Sequence, residues 1–455
     1  MAGKQFNMEP RKVPKVDTRF RKIVTKFPVP KSIPVLERLR KYEPVSMSGQ
    51  PLVVWDRAEG FQVYDKWGNM WLDWSSGVLV ANAGHGRKEI VDAIVEQARK
   101  PMLHNYCFPS EVRGDLAKRL VELAPEGLNK AFILTTGAEA TENAIKLSRT
   151  WGQKVGSPKK TAFVTFQNAF HGRTLGAQQA GGSAALKEWI GNVDPGFVQV
   201  PFPDGFRCKD ASFANFAGSL SAAGVKPENV CAVMLETYQG GGACFAPPKY
   251  IQQLASWCKK HKALLIFDEV QAGFGRTGKL FGFEHYETVP DLFCCGKGIS
   301  SGMPLSAVIG RDEIMDQYEP GSMTSTHTGN PVCACAALAS INIIVKEKLY
   351  LNAAKMGEVL FEALDAIKEK HDDVVRAVQG KGLVAGMHIC KTSSEDPDGN
   401  LAFNIVERCI EKGLLMFSPV GVGSATIKIA PPLIVTKDAI LDGIQALDEA
   451  ITEAK

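Results

Sequence analysis

Between residues 130 and 310, short apolar runs alternate with stretches of helical spacing, and this alternation narrows the fold more than any other feature of the chain. KAFILTT (130–136), TAFVTF (161–166), CAVMLE (231–236), ALLIF (263–267), DLFCCGK (291–297) and SAVIG (306–310) read as strands. ATENAIKLSRTWG and YIQQLASWCKKH repeat apolar residues every three or four positions, the period of an amphipathic helix. Continuous apolar strands interleaved with helices imply a largely parallel sheet covered on both faces. Ligands collect at the carboxyl ends of strands in such sheets. Here Thr136-Gly137, Glu236, Asp268 and Lys297 all fall at or just past strand ends, so one site can gather them.

The flanks are organised differently. GFQVYDKWGNMWLDWSSG (60–77) alternates and turns like a hairpin, and 89–100 and 114–124 have helical spacing. A long helix begins near residue 331. The tail, with GLVAGMHIC, AFNIVERCIEKGL and TIKIAPPLIV, reads as a smaller α+β domain. The expected division is 1–75 as an N-terminal strap and part of the small domain, 76–335 as the large domain, and 336–455 as the C-terminal small domain. The first forty residues are basic and punctuated by prolines, without the apolar core of a secretory signal. They are expected to lie across the surface or on a partner chain.

Composition excludes several classes. A formal charge of +4 over 455 residues is too mild for a nucleic-acid partner. No apolar run reaches the roughly 20 residues of a membrane span. Eleven cysteines without a CxxC spacing point to reduced thiols, a cytoplasmic setting and no metal site.

Three motifs carry chemistry. LLIFDEVQAGFGRTG (264–278) ends a greasy strand in Asp268 and Glu269, and an unpaired carboxylate there is costly. A cation or a protonated ring nitrogen is expected opposite. Its GFGRTG does not follow the strand directly and opens no helical pattern, so the dinucleotide reading fails on context. TTGAEATENAIKLSR joins a strand to a helix through small residues, which suits a phosphate at the positive helix end. It suits equally a capped helix with Thr136 or Thr141 as cap and Glu139 or Glu142 in the first turn. CCGKGISSGMP sets Lys297 between glycines, where desolvation would make it an amine nucleophile.

With these motifs stand VYDKWGNMWLDWSSG with AGHG, AFHGRT, LETYQGGG, STHTGNPVCACAALA and APPL. Together, and in this order over roughly 45 to 450, the sequence resembles the class III (omega) aminotransferases, which use pyridoxal 5′-phosphate on the fold-type-I scaffold. The resemblance implies an α/β protein with a large, mainly parallel sheet domain and a smaller α+β domain. It implies that Lys297 forms a Schiff base with the coenzyme and that Asp268 pairs with the pyridinium nitrogen. Val270 and Phe170 would pack on the two ring faces, Gln271 would lie near the phenolic oxygen, and Gly137 and Ala138 would hold the phosphate. Glu236 would stand close to the ring. Thr326 matches a threonine that reaches the phosphate from the other subunit, so a homodimer or dimer of dimers with its active sites at the interface is implied. Glu269, His171 and His85 are expected to make structural hydrogen bonds.

Substrate contacts are less regular. Arg173 matches an arginine that often grips a substrate carboxylate with its planar fork. Many members carry a glutamate where Gly241 stands and an arginine where Lys428 stands, and those two form a pair that switches between substrates. Lys428 remains the candidate second contact, though lysine is no equivalent clamp. Val78 replaces a substrate-contacting tyrosine of some relatives. Tyr106, Trp74 and Phe108 are expected in the core rather than the pocket. The resemblance implies a ping-pong transfer of an amino group from an ω-amino acid or other acid-tailed amine, such as 4-aminobutyrate, to 2-oxoglutarate or pyruvate. The alternative is an amino-acid racemase or epimerase on the same scaffold, since SGMPLSAVIG and GNPVC resemble those enzymes too.

Overall fold

The computed structural model describes residues 4–455. They form two compact units, one from the chain up to Arg87 together with Asn352–Lys455, the other from Lys88–Leu351.

The second unit is built on seven strands: β1 (Lys130–Leu134), β2 (Ala162–Phe166), β3 (Phe197–Val200), β4 (Val230–Glu236), β5 (Leu264–Asp268), β6 (Leu292–Cys295) and β7 (Ser306–Gly310). Their order across the sheet is β1-β7-β6-β5-β4-β2-β3. The four links from β6 through β3 are parallel, as the alternating pattern predicts. Strand β7 runs antiparallel to both neighbours. The cause is the connector 296–305, which is shorter than the dozen or more residues of a parallel crossover. Every residue of β2 and β4 to β7 is buried, so these strands show no alternation of polar and apolar side chains.

Helix α1 (Gly137–Val155) lies on this sheet. Its buried face is Ala140, Thr141, Ala144, Ile145, Leu147, Ser148 and Gly152, one stripe at helical period. Ala144, Ile145 and Leu147 share a core with Phe163, Met234, Ile266 and Val308. Each large apolar side chain fully enclosed there contributes about 1.5–3 kcal/mol. Two further helices matter below, α2 (Leu175–Ala180) and α3 (Pro248–His261). The sequence pattern does not reveal β3 or the helix Phe213–Ala222, because a four-residue edge strand and a helix rich in Ala, Gly and Ser give weak periodicity. The long helix from 331 ends at Lys346; Lys348 turns left-handed (φ 51°) and a new helix runs Leu349–Lys370.

In the first unit the predicted hairpin forms, with Gln62 opposite Leu72 and Tyr64 opposite Met70. Its turn is tied by Asp65, whose Oδ1 accepts the N–H groups of Trp67 and Asn69. A separate antiparallel sheet joins β8 (Val375–Lys381), β9 (Val384–Ile389) and β10 (Thr426–Ile429). The basic N-terminal residues are used within this unit: Arg11 Nε lies 2.5 Å from Glu411, and Arg21 Nε 2.5 Å from Asp442. The hairpin leads into an unusual turn in which Ser76, Gly77, Val78 and Leu79 all have positive φ (50°, 58°, 67°, 63°). Ser76 Oγ anchors it by donating to the carbonyl of Ala430 at 2.6 Å, and Asp73 holds both Ser75 and, at 2.7 Å, His85.

Candidate active site

Four strand ends of the second unit converge on one cavity of about 230 Å3, lined by Gly137, Ala138, Phe170, His171, Gly172, Glu236, Tyr238, Asp268, Val270, Gln271 and Lys297. The floor is Asp268, the last residue of β5. Its Oδ1 accepts the Val270 N–H at 3.0 Å, and its Oδ2 lies 2.8 Å from His171 Nδ1. Glu269 points the other way. It takes the Thr237 hydroxyl and the N–H groups of Gly282 and Phe283, which fastens the loop after GFGRTG. Burial outweighs these donors and pushes its pKa up to about 7.

One wall is the turn from β1 into α1. Thr136 caps the helix, its Oγ1 accepting the Glu139 N–H while Glu139 Oε2 takes the N–H groups of Thr135 and Thr136. The capped-helix pattern is therefore real, with Thr136 and Glu139 as the pair. It is compatible with anion binding, because N–H groups of a first helical turn have no intrahelical partner. At Gly137 a Cβ would come within 2.8 Å of Val270 Cγ1, so only glycine lets the helix start this close to the cavity.

A second wall, packed beside the start of α1, is the AFHGRT loop, pinned at several points. Glu236 Oε2 accepts the Phe170 N–H at 2.9 Å, and its Oε1 accepts the Gly240 N–H at 2.8 Å. Thr141 Oγ1 donates to the His171 carbonyl at 2.7 Å. Glu142 accepts from Thr174 Oγ1 and from the N–H groups of Gly176 and Ala177, which starts α2. Burial and the nearby Asp268 lift the Glu236 pKa to about 7, against the pull of His171 and the two backbone donors. His171 is held above its ordinary value, since its bond to Asp268 and the charge of Glu236 overcome the effect of burial. Lys297 follows β6 on a short turn and is itself left-handed (φ 40°); burial lowers its pKa against the pull of Asp268 and Glu236. An amine so depressed is closer to the neutral, nucleophilic form.

A sequence profile described as aminotransferase class-III matches residues 45–451. The chain belongs to the class-III aminotransferase family. It is 35% identical over 400 residues to the acetylornithine aminotransferase of Caldanaerobacter subterraneus, covering 88% of this chain and 94% of that one. It is 30% identical over 446 residues to the 4-aminobutyrate aminotransferase of Mycobacterium leprae, covering 95% and 98%. Among solved structures, a Bacillus anthracis aminotransferase superposes with a TM-score of 0.85 at 30% identity over 93% of this chain and 99% of that one. The protein is thus a pyridoxal-phosphate-dependent aminotransferase with the fold the sequence implied.

The cavity fits that coenzyme. A carboxylate stands on its floor, a depressed lysine at its side and a helix start with free N–H groups at one wall. The Phe170 ring, 38% exposed, and the Val270 side chain are both available to flank a flat ring. Eight residues expected at the coenzyme line the cavity together: Gly137, Ala138, Phe170, Glu236, Asp268, Val270, Gln271 and Lys297. Thr326 does not; it lies exposed on the segment before Thr328. Arg173 is also exposed and outside the lining, with its guanidinium carbon 5.5 Å from the centre of the Phe170 ring. Lys428 is buried in β10, opposite Gly386 in the other unit. Trp74 is fully buried, as expected, but Phe108 is 73% and Tyr106 39% exposed, so neither is a core residue of this chain. His171, Gly172 and Tyr238 line the cavity without having been singled out for it. For Tyr238 a signal was present, since it stands two positions beyond Glu236, at the same strand end.

Proposed function

We propose that this aminotransferase takes its amino group from an ω-amino acid or similar amine with a carboxylate at its far end, and passes it to 2-oxoglutarate or pyruvate in a ping-pong cycle. The observation that carries the donor class is Arg173. Its guanidinium stands over Phe170 at the cavity rim, and no carboxylate of the described residues pairs with it. A planar fork left without a partner beside a reaction site suits a substrate carboxylate. Relatives named for acetylornithine and for 4-aminobutyrate support the same class, since both compounds carry an amine remote from a carboxylate.

When bound, pyridoxal phosphate supplies an aldehyde that joins an amine and a protonated ring that draws electrons from the neighbouring carbon. The chain's residues do the rest. Lys297 would hold the coenzyme through its Nζ, and that same Nζ, buried and with its proton affinity lowered, is placed to act as the base and then the acid toward the amine-bearing carbon of a donor. Asp268 would face the ring nitrogen and favour its protonated form. Phe170 and Val270 would flank the ring, Gln271 would lie by the phenolic oxygen, and Gly137 and Ala138 would receive the phosphate. Thr326, exposed on its own chain, would reach the phosphate held by a second copy. The eleven free cysteines accord with a reducing compartment, and we place the enzyme in the cytoplasm.

The test is a panel of amines mixed singly with holoenzyme, following loss of the visible absorbance of the lysine-bound coenzyme. Acid-tailed amines should bleach it and amines without a carboxylate should do so poorly. Arg173→Met should raise KM for the good donors about 10- to 100-fold, the worth of a charge-assisted hydrogen bond. Equal rates for charged and uncharged donors, or an Arg173→Met enzyme with unchanged KM, would overturn the donor class. Loss of optical purity in one chiral amino acid, without any keto acid, would indicate racemisation instead.

A further inference from the structure

The imidazole of His171 is sealed from solvent, with a side-chain exposure of 0%. Nδ1 lies 2.8 Å from Oδ2 of Asp268, and Nε2 is buried with no hydrogen-bond partner among the described residues. These facts fix the proton. A carboxylate oxygen accepts, so Nδ1 must carry the hydrogen and donate it. The unpartnered Nε2 is then best left as a lone pair, because an N–H with no acceptor would carry the cost of an unmade bond. The ring cannot drift from this position. Its own carbonyl is held by Thr141 Oγ1, the preceding N–H by Glu236, and the following Gly172 (φ 133°) is packed so that a Cβ would lie 2.8 Å from that of Ala138. An apolar side chain would fill the same space without stranding Nε2, so space-filling does not account for a histidine here.

We infer that His171 is a positioning residue for transamination: by donating from Nδ1 to Oδ2 it holds the Asp268 carboxylate in the orientation in which it meets the ring nitrogen of the coenzyme. The inference rests on the reading that Asp268 meets that nitrogen. With the Val270 N–H on one oxygen and His171 on the other, the Asp268 carboxylate is held from both sides and keeps one orientation. His171 itself touches no reacting atom in this scheme; it acts through Asp268, as second-layer partners of reactive groups commonly do.

The experiment loads wild type, His171→Leu, His171→Asn and Asp268→Asn with pyridoxal 5′-phosphate carrying 15N in its ring, and reads the ring 15N shift beside kcat and KM. Wild type should show a protonated ring nitrogen. His171→Leu should move the signal toward the unprotonated value and lower kcat about 10- to 100-fold, with KM for the donor within about threefold. His171→Asn, whose amide N–H can stand near the place of Nδ1, should recover most of both. A second measurement needs no variant: with 15N-labelled histidine, wild-type holoenzyme should show His171 protonated at Nδ1. An unprotonated Nδ1, or a His171→Leu enzyme with an unshifted ring signal and kcat within about threefold of wild type, overturns the inference. If Asp268→Asn moves the ring signal and His171→Leu does not, His171 alone is rejected. If neither moves it, the reading of Asp268 falls as well.

Discussion

At the scale of single residues, enclosure displaces the ordinary proton affinities of Glu236, Glu269 and Lys297, raising the two carboxyls and lowering the amine. Glu269 is the cleanest case, because it serves structure and lies outside the cavity lining. Its pKa stands at about 7 in the fold against an ordinary 4.5. A carboxyl raised on folding favours the protonated state, so its contribution to stability is full below the unfolded value and is lost as pH rises through the folded one. Glu269→Gln cannot titrate. The gap in melting temperature between wild-type and Glu269→Gln apoenzymes should therefore be larger at pH 5 than at pH 8, and a gap that widens with pH would show the sign to be wrong. Gly137 makes a different point. Its hydrogen faces Val270 across a space too narrow for a methyl group. Gly137→Ala should loosen coenzyme binding at least about tenfold by equilibrium dialysis while the chain still folds, the loss expected when a positioning turn is displaced by a fraction of an ångström.

Elements store and relieve strain in places a sequence does not advertise. Val78 sits at φ 67°, a conformation that β-branched residues rarely adopt, in the middle of four left-handed residues. Such a residue costs on the order of 1–3 kcal/mol and persists because its surroundings hold it, here Asp73, Ser75 and the carbonyl of Ala430. Val78→Asn should raise the melting temperature, as asparagine tolerates the left-handed region; a fall would mean that Val78 packing outweighs the strain. The opposite case is the helix Glu111–Leu123, where a methyl group added at Gly114 would meet nothing within 4 Å. Gly114→Ala should gain about 0.5–1 kcal/mol in a denaturant titration. What was legible follows the same division. Strand ends could be read because an apolar run stops abruptly at Asp268, Glu236 or Gly137, and chemistry-bearing residues stand at the break. The reversed direction of β7, the edge strand β3 and the left-handed turn could not, since each depends on connector length or on contacts from afar. The bond between His171 and Asp268 spans 97 positions and has no local signature at all.

For the whole molecule, Arg173, Lys428 and Thr326 lie outside the cavity lining of one chain. Arg173 and Thr326 are exposed, and so are Phe108 and Tyr106 in the same unit. A shared site explains such exposure economically, and it predicts a solution mass of at least twice the 49.4 kDa chain by light scattering, with Thr326→Val releasing coenzyme more readily on dialysis. A monomer that retains coenzyme and full activity on dilution would contradict it. The most direct measurement concerns the amine on which everything converges. Holoenzyme reduced with borohydride, digested and mapped by mass spectrometry should carry the pyridoxyl group on Lys297 and lose it in Lys297→Ala. A label on any other lysine, or none after saturating the wild-type protein with coenzyme, would contradict the account.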